Sequence, residues 1–229
     1  MIKHIFFDLD RTLWDFEKNS HTTLLQLIKD FKLIEKGIDT ADNFIKKYKI
    51  HNEELWELYR EDKIKKEELR GKRFQLALAE YDIDDSELAE QFGLAYIKQS
   101  PLKTTLFSYT HEVLLYLKKK YSIHIITNGF EEVQHIKLAH SDLKKYFDVI
   151  VTSEQVGVKK PNAKIFEFAL EQAKAKPDEC IMIGDDFPVD VLGAEQIGMQ
   201  GVYFNPNKLA HKHAVVHEIF CLSELMALL

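Results

Sequence analysis

Cysteine and proline are scarce in this sequence, and it has neither a long apolar run nor an excess of positive charge. Two cysteines in 229 residues are too few for a disulfide framework, so a reducing compartment is expected. No apolar run reaches about 18 residues, so neither a transmembrane helix nor a membrane partner is expected. The 31 basic residues face 37 acidic ones, for a net charge of −6. Proteins that bind nucleic acid polymers usually carry a basic surface, so such a partner is not expected either.

The composition is that of an ordinary globular protein, with 45% apolar and 30% charged residues. The N-terminal segment MIKHIFFDLD has one short apolar run, acidic residues directly after it and no small-residue cleavage site. It is therefore not expected to be a signal peptide, and we predict a cytoplasmic protein. At roughly 150 residues per domain, the length allows one large domain or one domain with a smaller insert.

Short apolar runs alternate with helical patterns in two separated parts of the chain. The first run, at residues 2–7, reads IKHIFF; the runs SIHIITNG, DVIVTS, CIMIGDD and GVYF follow residue 101, the last of them after a predicted helix over 189–197. Strands that alternate with helices in this way indicate a parallel sheet with helices on both faces. We therefore predict an α/β fold with a doubly wound, mostly parallel sheet, formed by residues 1–14 and 101–229.

The segment between these two parts, residues 15–100, has a different composition. It contains no proline and is rich in Leu, Glu, Lys and Ala, which favour helices. Thr40 and either Asp84 or Asp85 are suitable N-cap residues. We predict that this segment forms a cap of four helices inserted into the α/β core, over residues 17–31, 40–61, 65–81 and 85–99.

Polar side chains follow four of the predicted strands, in the order Asp8 and Asp10, Thr127 and Asn128, Lys160, and then Asp185, Asp186 and Asp190. Ligands of open parallel sheets bind at the carboxyl ends of the strands, so we expect these side chains to lie at one edge. Carboxylates in one cleft repel each other unless a cation lies between them, and oxygen ligands favour Mg²⁺. A lysine and strand-end amides bind an anion. Together these groups indicate a site for phosphoryl transfer.

The segments DLDRT, ITNG, KKPNAKIF and GDDFPVD, in this order, resemble the four motifs of the haloacid dehalogenase superfamily. The helical insert after the first motif is similar to the helical cap of that superfamily. Arg11 departs from the usual pattern, since many members carry glycine there, but other members also have bulky or polar residues at this position. The dehalogenase and phosphonatase branches lack the second acid of the first motif. Because Asp10 is present here, the resemblance implies the hydrolysis of phosphate esters.

The resemblance also implies the roles of the catalytic residues. Asp8 is the expected nucleophile, which forms an aspartyl-phosphate intermediate. Asp10 is the expected acid/base group, which first gives a proton to the leaving oxygen and then takes one from water. The expected phosphate-binding groups are Thr127, the backbone amide of Asn128 and Lys160. Of these, Thr127 and Lys160 are also expected to be catalytic residues.

Mg²⁺ is the cofactor that the resemblance implies. Its expected ligands are the carboxylates of Asp8 and Asp185 and the backbone carbonyl of Asp10. Asp186 and Asp190 are expected next to them, where they would orient Lys160 and the waters of the metal ion. A small-molecule phosphate ester is therefore the expected partner, and the oligomeric state is left open.

The insert carries a further resemblance. Its segments TLWDFEKNSHTTL and RGKRF resemble the branch of nucleotidases that hydrolyse pyrimidine and non-standard nucleoside 5′-monophosphates, and Arg73 and Phe74 are predicted to contribute to substrate specificity. A phosphatase for small sugar phosphates or phosphoglycolate, and a phosphomutase, are alternatives with the same four motifs. A non-catalytic binding or regulatory protein is an alternative from a different class, although a binding protein has no need of Asp10 beside Asp8.

Three histidines near the C-terminus, His211, His213 and His217, have a spacing that could suit a metal ion. They follow the loop signal Asn205-Pro206-Asn207. We interpret this stretch as a loop and not as a metal site.

Overall fold

The computed structural model describes residues 1–212, 214 and 217–229, and His213 of the histidine stretch lies outside them. The described residues form two compact units. The first, which we call the α/β unit, consists of Met1–Phe16 and Thr104–Leu229, and the second, the helical unit, consists of Glu17–Lys103. In the part of the chain that is described, no helix combines the length and the apolar character needed to cross a membrane.

The helical unit contains the four helices that the sequence predicts. They are α1 Phe16–Asp30, α2 Ala41–Arg60, α3 Lys66–Ala79 and α4 Ser86–Gln99. The Thr40 side chain accepts a hydrogen bond from the Asn43 N–H and caps α2, and Asp85 accepts one from the Leu88 N–H and caps α4. Each helix contributes fully buried apolar side chains to one core, among them Leu27, Phe44, Phe74 and Phe92.

The α/β unit contains a six-stranded sheet. Its strands are β1 His4–Phe7, β2 Ser122–Thr127, β3 Val149–Thr152, β4 Cys180–Gly184, β5 Gln200–Phe204 and β6 Glu218–Ile219. All neighbouring strands are parallel, in the order β3-β2-β1-β4-β5-β6. The strand order reverses at β1, so the carboxyl ends of β1, β2 and β4 lie side by side, where ligands of such sheets bind.

Helices cover both faces of this sheet. They are α5 Thr110–Leu117, α6 Glu131–His140, α7 Ser153–Val156, α8 Ala163–Ala173, α9 Gly193–Glu195 and α10 Leu225–Leu228. Side chains alternate along a strand, and in β1 Ile5 and Phe7 pack with α5, α6 and α10. Phe6 packs on the opposite face with α8 and α9. The predicted α/β fold with a doubly wound parallel sheet is thus confirmed.

The segment after β4 differs from the helix predicted over 189–197. Phe187–Leu192 forms a π-helical turn, which continues into the short helix α9. Pro188 lies in the first turn, and the Asp190 carboxylate folds back to accept a hydrogen bond from the Asp186 N–H at 3.1 Å. Local widening of a helix is frequent where a side chain must be aimed at a functional site, and here it brings Asp190 to the end of β4.

Candidate active site

The first acidic residue of the site continues β1. The Asp8 N–H donates to the Ile183 carbonyl of β4 at 2.9 Å, so Asp8 is still held in the sheet at its carboxyl edge. The chain then turns sharply, with Arg11 at φ 65° in the left-handed region. The Arg11 N–H donates to the Trp14 carbonyl at 2.9 Å, which closes the turn. Asp8 and Asp10 are thereby held at the start of a rigid loop.

Lys160 connects two carboxylates in the interior of the site. Its side chain is only 2% exposed, and its ammonium group donates to Asp8 Oδ1 at 2.7 Å, to Asp190 Oδ1 at 2.6 Å and to the Ile126 carbonyl at 2.8 Å. An ammonium group has three N–H donors, so all of them are used. Burial alone would lower the pKa of Lys160, but the charges of Asp190 and Asp8 outweigh it and raise the pKa. Lys160 therefore stays positively charged.

The side chain of Asn128 joins the end of β2 to the loop of Lys160. Its Oδ1 accepts from the Lys160 N–H at 2.7 Å, and its Nδ2 donates to the Lys160 carbonyl at 3.0 Å. The sequence pointed only to the backbone amide of Asn128, as a phosphate ligand. Its side chain has a second task, which is to hold Lys160 in place, and no local pattern indicates which loop a strand-end asparagine will meet.

Three carboxylates lie together beside Lys160. One oxygen each of Asp8, Asp185 and Asp190 lies within 4.8 Å of the other two. Burial and the charges of Asp190 and Asp10 raise the pKa of Asp8 to about 7, although Lys160 lowers it. Burial and the charges of Asp8 and Asp190 likewise raise the pKa of Asp185 well above its ordinary value. Three carboxylates facing one ammonium group repel each other, and a divalent cation with oxygen ligands fits this donor set.

Asp186 and Asp190, which are both predicted to lie beside the metal ligands, have different partners in the structure. Asp190 accepts from Lys160 through Oδ1 and from the Asp186 N–H through Oδ2. A Cβ atom at Gly184 would lie 2.1 Å from Asp190 Oδ2, so glycine is needed there for this approach. The Asp186 carboxylate accepts from the Val189 N–H at 3.2 Å. In the described part of the chain it makes no hydrogen bond to Lys160, so of these two acids only Asp190 holds the lysine.

Asp10 has separate partners, both from α6. Its Oδ1 forms an ion pair with Lys137 Nζ at 2.5 Å, and its Oδ2 accepts from Gln134 Nε2 at 2.8 Å. Lys137 is buried, with its ammonium 4.3 Å from the centre of the Trp14 ring. Sequence reasoning missed Gln134 and Lys137. Their spacing places them on one face of a helix that follows the second motif, but many helices carry such a pair without a function.

The remaining predicted phosphate ligand, Thr127, ends β2 and is 1% exposed. Its Oγ1 accepts from the Gly129 N–H at 3.1 Å and from Gln134 Nε2 at 2.7 Å. Gln134 thus contacts both Thr127 and Asp10. The structure brings Asp8, Lys160 and the residues that follow β1, β2 and β4 to the carboxyl edge of the sheet, as the strand pattern predicts.

The two residues expected to influence substrate choice are buried within the helical unit. Phe74 is fully buried, with the rings of Tyr48, Phe92 and Tyr96 between 5.0 and 5.3 Å from its own. Arg73 is 4% exposed and donates to Asn52 Oδ1 at 2.9 Å. Packing is thus a clear role for Phe74, and the part of both residues in substrate specificity stays a prediction.

Comparisons with known proteins identify the family of this chain and two relatives. A family model described as haloacid dehalogenase-like hydrolase matches residues 2–198. The pyrimidine 5′-nucleotidase YjjG of Escherichia coli (strain K12) is 34% identical over 204 residues, which are 88% of this chain and 85% of that protein. A glyceraldehyde 3-phosphate phosphatase of Methanothermobacter thermautotrophicus is 31% identical over 212 residues, which are 90% of this chain and 86% of that protein.

Solved structures are also similar. The crystal structure of the HAD-hydrolase YfnB from Bacillus subtilis, bound to magnesium, has a TM-score of 0.89 against this chain at 25% identity. The match covers 99% of this chain and 98% of that one. The α/β unit and the helical unit therefore each have a counterpart in that structure.

Proposed function

Because this chain belongs to the haloacid dehalogenase-like hydrolase family and is a phosphatase, we propose that it hydrolyses nucleoside 5′-monophosphates with Mg²⁺ and through an aspartyl-phosphate intermediate. The observation that carries this proposal is the arrangement around Lys160, whose ammonium group donates to Asp8 and Asp190 beside the acidic cluster with Asp185. A purely structural ion pair would need one carboxylate and not three.

In the first step, one carboxylate oxygen of Asp8 attacks the phosphorus atom, and the bond from phosphorus to the leaving oxygen breaks. Asp8 Oδ1 is already bonded to Lys160 at 2.7 Å, so the carboxylate is held in one orientation before the substrate binds. Asp10 gives its proton to the leaving oxygen, which departs as an alcohol. Such a positioned acid contributes about 10²–10⁴-fold to the rate.

In the second step, Asp10 takes a proton from a water molecule, whose oxygen attacks the phosphorus atom of the aspartyl-phosphate. The bond between phosphorus and the Asp8 oxygen breaks, and inorganic phosphate is released. Dividing one difficult displacement into two easier ones is the benefit of a covalent nucleophile. Lys160 and Thr127 contribute positive charge and a hydrogen-bond donor to the phosphoryl oxygens in both steps.

The carboxylates of Asp8 and Asp185 would hold the metal ion. Their raised pKa values reflect burial and mutual repulsion, which a divalent cation relieves, and oxygen ligands favour Mg²⁺. When bound, the ion supplies Lewis-acid stabilisation of the charge on the phosphoryl group. Asp190 is engaged by Lys160 and by the Asp186 N–H through its two oxygens, so we assign it to holding Lys160.

Pyrimidine nucleotides are the preferred substrate class because the 5′-nucleotidase YjjG shares 34% of its residues with this chain in the alignment and the segment RGKRF resembles that branch. Glyceraldehyde 3-phosphate is the second candidate, since two phosphatases for this ester share 31% and 34% of their residues with this chain in the alignments. The segment RGKRF is therefore what favours the nucleotide. The ratio of kcat/KM for uridine 5′-monophosphate to that for glyceraldehyde 3-phosphate decides between them. A ratio below one would reject the nucleotide assignment.

The chemistry is tested with Asp8→Asn, which removes the nucleophilic charge and keeps the side-chain volume. We expect release of phosphate from p-nitrophenyl phosphate to fall to the background rate. The proposed mechanism is wrong if the purified, folded variant retains more than a few per cent of the wild-type kcat. Phosphate that appears on a second alcohol, and not free in solution, would indicate a phosphomutase.

A further inference from the structure

Gln134 contacts both the expected acid/base group, Asp10, and an expected phosphate ligand, Thr127. Its Nε2 donates one hydrogen bond to Asp10 Oδ2 at 2.8 Å and another to Thr127 Oγ1 at 2.7 Å. These two bonds use both N–H donors of the amide. We propose that Gln134 is a positioning residue, which holds the Asp10 carboxyl for the leaving oxygen and turns the Thr127 hydroxyl towards the phosphoryl group. This inference rests on the phosphatase mechanism proposed above.

The direction of the Thr127 hydroxyl follows from its bonds. A hydroxyl oxygen can accept two hydrogen bonds and donate one, and Thr127 Oγ1 accepts from the Gly129 N–H and from Gln134 Nε2. Within the described residues the Thr127 O–H donates to no protein atom. The O–H of Thr127 is therefore available as a donor, and an incoming phosphoryl oxygen needs a hydrogen-bond donor.

The orientation of the Gln134 amide is also determined by its neighbours. If the amide were reversed, its oxygen would face Asp10 Oδ2 at 2.8 Å, and two acceptors would repel each other. In the observed orientation Gln134 Oε1 is buried and has no hydrogen-bond partner among the described residues. A buried acceptor of this kind destabilises a fold by about 1–3 kcal/mol. A residue chosen for packing alone would be apolar, so Gln134 is retained for what its N–H groups do.

Gly129 leaves the space that Gln134 occupies. A Cβ atom at residue 129 would lie 1.8 Å from Gln134 Nε2 and 2.5 Å from its Cδ. The glycine of the second motif is thereby explained by a side chain five residues further along. Gly129→Ala should displace Gln134 without changing the chemistry of its amide. It is therefore a second, independent way to break the hydrogen bonds from Gln134 to Asp10 and Thr127.

The second bond to Asp10 comes from the buried Lys137, at 2.5 Å from Oδ1. Gln134 and Lys137 therefore hold the two oxygens of one carboxyl from one helix. Rotation of the Asp10 side chain would break both bonds, so the carboxyl is fixed relative to Thr127.

The experiment compares two phosphate esters that differ in their need for a proton. The alkyl ester is uridine 5′-monophosphate or glyceraldehyde 3-phosphate, whichever the wild type hydrolyses faster, and its leaving alkoxide must be protonated. The second ester, p-nitrophenyl phosphate, releases a stable anion. The quantity compared is kcat/KM, which covers the first step and not the hydrolysis of the aspartyl-phosphate that both esters share. For Gln134→Met, which keeps the length and loses both donors, we expect kcat/KM on the alkyl ester to fall by about 10²-fold or more. On p-nitrophenyl phosphate we expect kcat/KM to fall less than about tenfold, because its leaving group needs no proton from Asp10 and the Thr127 hydroxyl, though no longer held by Gln134, is still present.

Two further variants sharpen the result. Gly129→Ala should give the same unequal loss, and Gly129→Ala combined with Gln134→Met should be no worse than Gln134→Met alone. Gln91→Met, the same change at an exposed site of α4, is the matched control and should match the wild type on both esters.

Equal losses of kcat/KM on both esters in Gln134→Met with a lowered melting temperature would show a structural role and overturn the inference, as would unchanged kinetics. Wild type and Asp8→Asn are measured beside it. If the wild type releases no phosphate from either ester, or Asp8→Asn matches it, the proposed function itself fails and the inference falls with it.

Discussion

Replacing Lys160 by methionine removes one charge from the interior and leaves three acceptors without their donor. The Asp8 side chain is 11% exposed and can regain some contact with water. Asp190 is 1% exposed, and among the described residues its carboxylate keeps only the bond from the Asp186 N–H, so most of the cost falls on this acid. Removing one partner of a buried ion pair destabilises a protein by about 3–5 kcal/mol. For a chain of this size that lowers the melting temperature by about 6–20 °C.

A double-mutant cycle identifies the cause of this loss. Asp190→Asn keeps the size of the side chain and removes the charge that Lys160→Met leaves unpaired. We expect the double variant to be about 1–3 kcal/mol more stable than the sum of the two single losses. Lys119→Met is the matched control, since it is the same change at an exposed side chain of the α/β unit, and it should cost less than about 0.5 kcal/mol.

The assay can report on the α/β unit alone. The protein has two tryptophans, Trp14 in the α/β unit and Trp56 in the helical unit, so urea unfolding is followed by Trp14 fluorescence in a Trp56→Phe background. A loss below about 1 kcal/mol for Lys160→Met, or strictly additive losses in the cycle, would refute the reasoning. None of the Lys160→Met variants should regain phosphatase activity, since the proposed phosphate contact is absent from all of them.

Three other predictions follow from contacts described above. Burial and the neighbouring His4 lower the pKa of His124 to about 4. Because the unfolded chain binds the proton at a higher pH than the folded one, the contribution of His124 to the free energy of unfolding is full above about pH 6.5 and falls by up to about 3 kcal/mol as the pH drops to 4. The urea midpoint should therefore vary less with pH in His124→Phe, and the same dependence on pH as in the wild type would contradict this. Phe74→Ala should cost about 3–5 kcal/mol in unfolding of the helical unit, followed by Trp56 fluorescence; a loss below about 1 kcal/mol would argue against its packing role. Chelation should abolish phosphate release and added Mg²⁺ restore it, whereas Ca²⁺, with a larger and looser coordination shell, should inhibit; full activity in protein shown to be metal-free would exclude the metal role.

The position of the site could be predicted because it depends on strand order more than on side-chain detail. A buried run that ends in Asp8 and another that ends in Asp185 indicate neighbouring parallel strands, and the ends of such strands meet at one edge. The helices of the insert could be predicted because their N-caps and composition agree with each other. Thr40 caps α2 and Asp85 caps α4 as the local sequence indicates.

The contacts that were missed depend on tertiary packing. Whether Gln134 and Lys137 face Asp10 depends on how α6 is rotated against the sheet, and helical periodicity leaves that rotation open. The π-helical turn at Phe187–Leu192 depends on the fold-back of Asp190 to the Asp186 N–H, which is a small local preference. The two-residue strand β6 pairs only with β5 and is too short for an alternating pattern to identify it.

The central position of β1 has a consequence for synthesis on the ribosome. Of the strands in this sheet, β1 leaves the ribosome first, and it pairs with β2 and β4, whose residues Ser122 and Cys180 lie opposite His4. At about 5–20 residues per second, β1 waits roughly 10–35 s for its second partner. The helical unit is one continuous segment, so all of its own contacts are available while the run IFF of β1 is still unpaired. Of the strands in this sheet, β1 is therefore the one that a chaperone has the longest time to bind in the nascent chain.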